Sequence, residues 1–138
     1  MVNPKRARSL CPVCSGVVDN LSSQFCSSTC FHESRYLGYI ERWKAGLESG
    51  NIGTGRSLAL SDNVRKYLLR KLGNACTRCC WAERNPVTGR VPLNVEHIDG
   101  NPYNSVETNL TLLCPNCHSL TPTYGGLNRG KGRQQGGP

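Results

Sequence analysis

Apolar positions recur at helical spacing in two stretches of this chain and at strand spacing in two more. From Phe31 to Leu47, Tyr36, Ile40, Trp43 and Leu47 fall at i, i+4, i+7 and i+11, one face of a helix. That spacing marks them for packing rather than for stacking on bases. From Ser61 to Leu72, Val64, Leu68 and Leu72 form a second seam. Ser61 suits an N-cap there, Asp62 the positive helix start and Gly73 the C-terminal cap. Between these helices, 48–61 is rich in glycine and serine and reads as a linker. Its Gly-x-Gly has no following Lys-Ser/Thr and no preceding strand, which excludes a phosphate-binding loop.

Further on, Val91, Leu93 and Val95 alternate and predict a strand over 90–96, with Pro92 making it an edge or late-starting one. Asn109–Leu113 predicts a second strand, and the polar stretch 99–108 a loop between the two. A short helix should follow Cys114 and stop near Pro122. Strands and helices of this kind give a small α+β chain.

Composition changes the picture because the core would be thin. Only 37% of the 138 residues are hydrophobic and 7% aromatic, and small domains with thin cores need staples. Nine cysteines are the available staples. Cys11 and Cys14 form one knuckle, completed by Cys26 and Cys30. Cys76 and Cys79 form another, completed by Cys114 and Cys117. Each set can close a tetrahedron around a structural zinc. Cys80 is the ninth, and the two-residue spacing favours its neighbour Cys79 as the ligand. His32 is read as a surface or packing residue beside a complete set. There is no apolar run of signal-peptide type and none of membrane-span length, so the expectation is an intracellular, non-secreted chain with no membrane partner, where paired thiols stay reduced and hold zinc.

The formal charge of +8 suits a polyanionic partner, most simply nucleic acid. Arg65 and Lys66 on the second helix, with Arg129, Lys131 and Arg133 in the basic, Gly-rich tail, are the candidates for phosphate contact.

The densest chemistry lies between Val95 and His118. Glu96 and His97 sit at the end of the first predicted strand, and His118 starts the helix after the second. Glu96 and His118 offer an oxygen and a nitrogen to a divalent ion in an open site. His97, neutral near pH 7, is suited to take a proton from water. Asn109 has no acid–base use and would brace the loop that carries His97. Asp99 is read mainly as the shaper of the Asp99-Gly100 turn. Together these parts suit phosphodiester hydrolysis.

The series Glu96-His97, Asn109 and His118 resembles the HNH endonucleases of the ββα-metal fold. The NLTLLC run and the CPNCH ending resemble their zinc-stapled branch, and LCPNCHSLTPTYGG resembles small HNH proteins of bacteriophages, including homing endonucleases. The resemblance implies a zinc-stabilised ββα-metal domain over 61–128. It would be preceded by an arm, four-cysteine zinc finger and amphipathic helix over 1–48 and the linker over 49–60, and followed by the tail over 129–138. It implies His97 as general base, Asn109 as a structural residue of the catalytic set, and Glu96 and His118 as ligands. It further implies two structural zinc ions, double-stranded DNA as substrate and 5′-phosphate ends. Two departures stand out. The acidic ligand is glutamate where the family often has aspartate, and Pro122 stands where some members carry a further histidine. A two-ligand, water-rich site follows, which leans toward Mg²⁺ or Mn²⁺. The competing readings are a non-catalytic zinc module that binds nucleic acid, and a phage packaging or replication nuclease active only with a partner. No dimerisation seam stands out.

Overall fold

The computed structural model describes residues 7–128. They group into two compact units that divide between Glu41 and Arg42. In the first unit, Cys11–Gly16 forms a tight knuckle. The Cys11 N–H donates to the Gly16 carbonyl, the Ser15 N–H donates to the Cys11 carbonyl, and Ser15 takes a positive φ of 60°. Leu10 and Val17 bridge across the base of the knuckle, and Val18 and Cys11 are buried there. Helix α1 (Ser28–Lys44) begins where the Ser27 hydroxyl accepts the Cys30 N–H, an N-cap that also brings Cys30 to the knuckle. Tyr36, Ile40 and Trp43 are buried as the helical spacing predicts, but Leu47 is exposed. The helix has ended before it. Gly46 takes a φ of 76°, its N–H donates to the Trp43 carbonyl and the Leu47 N–H donates to that of Arg42, a Schellman closure.

The second unit begins with Arg42 and holds the rest. Strands β1 (Asn51–Ile52) and β2 (Ala59–Leu60) pair antiparallel, so the stretch expected to be a linker is a small hairpin. Its glycines serve the folded backbone rather than flexibility. Gly50 has φ of 77°, and its carbonyl accepts the Ser61 N–H where helix α2 (Asp62–Leu72) starts. The α2 caps are those expected. The Ser61 hydroxyl accepts the Asn63 N–H at 3.2 Å, and Gly73 follows the last turn at a φ of 79°. Val64 and Leu68 are fully buried, while Leu72, expected on the same seam, is exposed.

Strands β3 (Asn94–His97) and β4 (Leu110–Leu113) pair antiparallel, with Glu96 opposite Thr111 and His97 opposite Leu110. The short helix α3 (Pro115–Ser119) follows at once and contacts both strands, and α2 packs on β4. The first strand is shorter than the alternation suggests. The Leu93 N–H donates to the Val91 carbonyl across Pro92, a three-residue turn that ends the extended run. Val91 and Leu93 are therefore buried ahead of the strand. Within it Glu96 is buried, and Val95 is only partly so. Leu112, Val64 and Leu68 form the centre of this core, with Leu110, Leu113 and the cysteines of the second cluster around them.

The residues ahead of α2 are tied into this unit by side chains. Trp43 Nε1 donates to the Ser105 carbonyl at 2.8 Å, and its ring meets Tyr67 edge-on at 5.5 Å. Tyr67 and Lys71 both bond Glu107. Asn51 Nδ2 donates to the Pro102 carbonyl at 3.1 Å. The compact unit thus extends back to Arg42, past the expected boundary at 61. No helix among the described residues is long and apolar enough to cross a membrane.

Gly50 provides a test of this packing. A Cβ added there would lie 2.6 Å from Trp43 Nε1, whereas one at Gly46 meets nothing within 4 Å. Both positions have positive φ, which costs an L-residue about 1–2 kcal/mol. Gly50→Ala is expected to lose a further ~1–3 kcal/mol through overpacking. Urea midpoints of the two variants measure this, and equal midpoints would show that 50 is not packed against Trp43.

Candidate active site and metal centres

Two clusters of four cysteines come together, Cys11, Cys14, Cys26 and Cys30 in the first unit and Cys76, Cys79, Cys114 and Cys117 in the second. Within each, the sulfurs all lie within 4.8 Å of one another. The separations of 3.4 Å for Cys14–Cys26, 3.5 Å for Cys26–Cys30 and 3.7 Å for Cys79–Cys114 are close to the ~3.8 Å edge of a tetrahedron with zinc–sulfur bonds of about 2.3 Å. All nine cysteines are free thiols. The residues present therefore fit two structural zinc ions. Both knuckles have the same backbone. The Cys80 N–H donates to the Cys76 carbonyl with Cys80 at a φ of 62°, as Ser15 does to Cys11. Cys80 thus occupies the turn position, exposed and outside the cluster, and its side chain is not needed there.

Each cluster favours one thiolate. Backbone N–H groups, that of Cys26 first, pull the Cys11 thiol down to about 6. Burial resists ionisation of Cys76, but the N–H groups of Cys114, Cys79 and Arg78 outweigh it and bring it to about 6. Their neighbours are then pushed up. Cys26 reaches about 12 beside the Cys14 and Cys30 sulfurs, and Cys117 about 12 through burial and the sulfurs around it. A divalent cation relieves that mutual repulsion.

The second cluster also places His118. Cys114 caps α3, its sulfur accepting the Cys117 N–H, and Pro115 fits the first turn, where no N–H is needed. His118 is the next residue on this short helix. Its Nδ1 is buried, lies 2.7 Å from Glu96 Oε2 and forms no hydrogen bond. Such an orphaned nitrogen facing a carboxylate oxygen is the donor set expected of two ligands converging on a cation. Thr123 donates to the other oxygen, Glu96 Oε1, at 2.6 Å, and Tyr124 packs edge-on against the His118 ring at 5.2 Å. The structure thus brings Glu96 and His118 together.

His97 takes different partners. Its Nε2 lies 3.0 Å from Ser105 Oγ, and Ser105 Oγ donates to Asn51 Oδ1 at 2.7 Å. Burial pushes the His97 imidazole below its usual 6.5, against the opposing pull of the Asp99 and Glu96 carboxylates. Asn109 closes the loop between β3 and β4. Its Oδ1 accepts the Asp99 N–H at 3.0 Å, and its Nδ2 donates to Asp99 Oδ1 at 2.8 Å and to the Asn104 carbonyl at 2.7 Å. Burial would raise the Asp99 carboxyl, but bonds from Asn104, Asn101 and Asn109 hold it below the usual range. Both Asp99 oxygens are taken up inside the loop, by Asn101 and Asn109 on one and Asn104 on the other.

The chain has a named relative. The chain is 61% identical over 41 residues to H-N-H endonuclease F-TflIV of Escherichia phage T5. The match covers 30% of this chain and 18% of that protein's length. No family model matches the chain, and no solved structure matches it.

The spacing of motifs did not reveal Asn51, Ser105, Thr123 or Tyr124. Thr123 and Tyr124 lie just beyond His118 and could be found by proximity. Asn51 is far away in sequence and gives no such signal. Among the basic candidates, Arg65 donates to the Leu93 carbonyl at 2.7 Å, so it has a structural bond. Arg65 and Lys66 line a shallow groove of about 420 Å³ together with Arg70 and Arg90. Arg129, Lys131 and Arg133 lie outside the described residues.

Metal analysis of the purified protein is expected to give two zinc ions per chain that survive dialysis. Cys80→Ser should keep both, whereas Cys117→Ser should keep one. Loss of a zinc in Cys80→Ser would mean that Cys80, not Cys79, is the ligand.

Proposed function

We propose that this chain is a metal-dependent DNA endonuclease of the HNH type, in which β3, β4 and α3 form the ββα-metal unit. The observation that carries this reading is the convergence of Glu96 and the orphaned His118 Nδ1, in a chain with a named HNH relative. Glu96 and His118 would hold a divalent ion, Mg²⁺ or Mn²⁺, with water completing a site of so few protein ligands. When bound, such an ion supplies charge neutralisation at the phosphate and its leaving oxygen.

The chain's own residues account for the remaining chemistry. His97, kept neutral by burial, accepts a proton from a water molecule as the water oxygen attacks phosphorus. The bond from phosphorus to the 3′ oxygen breaks and that oxygen takes a proton from solvent, leaving a 5′-phosphate and a 3′-hydroxyl. Asn109 fixes the loop after His97 through its three bonds and does not touch the reacting atoms. Thr123 orients the Glu96 carboxylate by holding its second oxygen. The charge of +8 draws the chain to double-stranded DNA, with Arg65, Lys66, Arg129, Lys131 and Arg133 as the phosphate contacts. The first cysteine cluster serves as a separate zinc finger ahead of the nuclease unit.

Nicking of supercoiled plasmid in Mg²⁺ or Mn²⁺ tests this. His97→Ala should lower the rate by about 10²–10⁴-fold with DNA affinity retained. Glu96→Gln and His118→Ala should lose activity and need more metal. Wild-type protein that binds DNA yet cuts in neither metal would instead favour the non-catalytic binding module.

A further inference from the structure

We infer that Asn51 and Ser105 are positioning residues that set the tautomer of His97 and leave its lone pair on Nδ1; the inference rests on the reading of His97 as the general base. Four hydrogen-bonding groups form a chain whose polarity is set from one end by the Pro102 carbonyl. The Pro102 carbonyl only accepts, so the side-chain atom of Asn51 that lies 3.1 Å from it is the amide nitrogen. A flipped amide would set two acceptor oxygens against each other. Asn51 Oδ1 therefore faces Ser105, and it has no proton to give. The Ser105 hydroxyl, 2.7 Å away, must donate its single hydrogen to that oxygen. Ser105 Oγ can then only accept from His97 Nε2 at 3.0 Å, so Nε2 carries the proton. A neutral imidazole has one N–H, and the lone pair falls to Nδ1.

Ser105 is held firmly enough to impose this. It is 2% exposed. Its carbonyl accepts the Trp43 Nε1–H at 2.8 Å, and a Cβ at Gly50 would come within 3.2 Å of its own Cβ. Nδ1 has no hydrogen-bond partner among the described residues, and His97 is partly exposed. Asn51 of β1 thus belongs to the active site although it lies more than forty residues ahead of His97 in the chain. Its contribution is to choose which ring nitrogen meets the water.

Long-range ¹⁵N–¹H spectra of the zinc-loaded full chain in Mg²⁺, at a pH where the imidazole is neutral, read the tautomer directly. His97→Gln identifies the His97 signals among the three histidines. Wild type is expected to be the Nε2–H form. Asn51→Leu removes the acceptor and frees the Ser105 hydroxyl to donate to Nε2, so this variant should gain the Nδ1–H form. Its nicking rate at saturating enzyme should fall about 10–100-fold, with DNA affinity and zinc content unchanged. Ser105→Ala should give a mixture of tautomers and a similar loss of rate, and Ser105→Thr should restore both. A wild-type His97 in the Nδ1–H form overturns the inference and needs no variant. So does a tautomer that neither Asn51→Leu nor Ser105→Ala alters. If His97→Ala still cuts DNA, the reading of the base fails instead, whatever the tautomer proves to be.

Discussion

The sulfurs of Cys76, Cys79, Cys114 and Cys117 are the constraint on which the second unit depends. Helix α3 spans five residues, too few to hold a helical conformation by its own hydrogen bonds. Its start is fixed because Cys114 caps it and Cys117 is drawn back to the knuckle at Cys76–Cys79. His118 follows Cys117 directly, so the cluster that staples the fold also sets the position of the nitrogen that faces Glu96. Thr77 reinforces the same junction, its N–H and hydroxyl both donating to the Leu112 carbonyl. Four thiols brought this close resist ionising together, so structure and metal binding are coupled here.

A second constraint is polar. The stretch between β3 and β4 has no apolar anchor of its own, yet it is cross-linked throughout. Asn109 spans its ends, Asp99 gathers N–H groups on both oxygens, and Ser105 is held at its backbone and its side chain. A loop fixed in this way presents His97 without the support of a large core. The burial around His97 also favours the neutral ring. The same contacts therefore serve both position and protonation state.

Much of this was legible in the chain. Helix α2 was clear because its signals are local, with Ser61, Asp62 and Gly73 each acting on the backbone beside it. The pairing of the cysteines into two sets was clear because knuckle spacing is a direct consequence of tetrahedral ligation. The 90–96 strand starts late, at Asn94, as Pro92 implies, although alternation alone does not register the turn that Pro92 makes. The hairpin within 48–61 was not legible. Glycines at positive φ look the same in a sequence whether they loosen a linker or tighten a hairpin.

Residue type and short spacing are enough to define the cysteine frame, the capped helix and the chemical inventory of Glu96, His97, Asn109 and His118. Such features are local, since each acts on backbone or ligands a few residues away. Which of these groups meet is a matter of the folded chain. Folding brings Glu96 to His118, places His97 on Ser105 and Ser105 on Asn51, and carries the compact unit back to Arg42. Those contacts join residues up to 62 positions apart and leave no periodic trace along the chain.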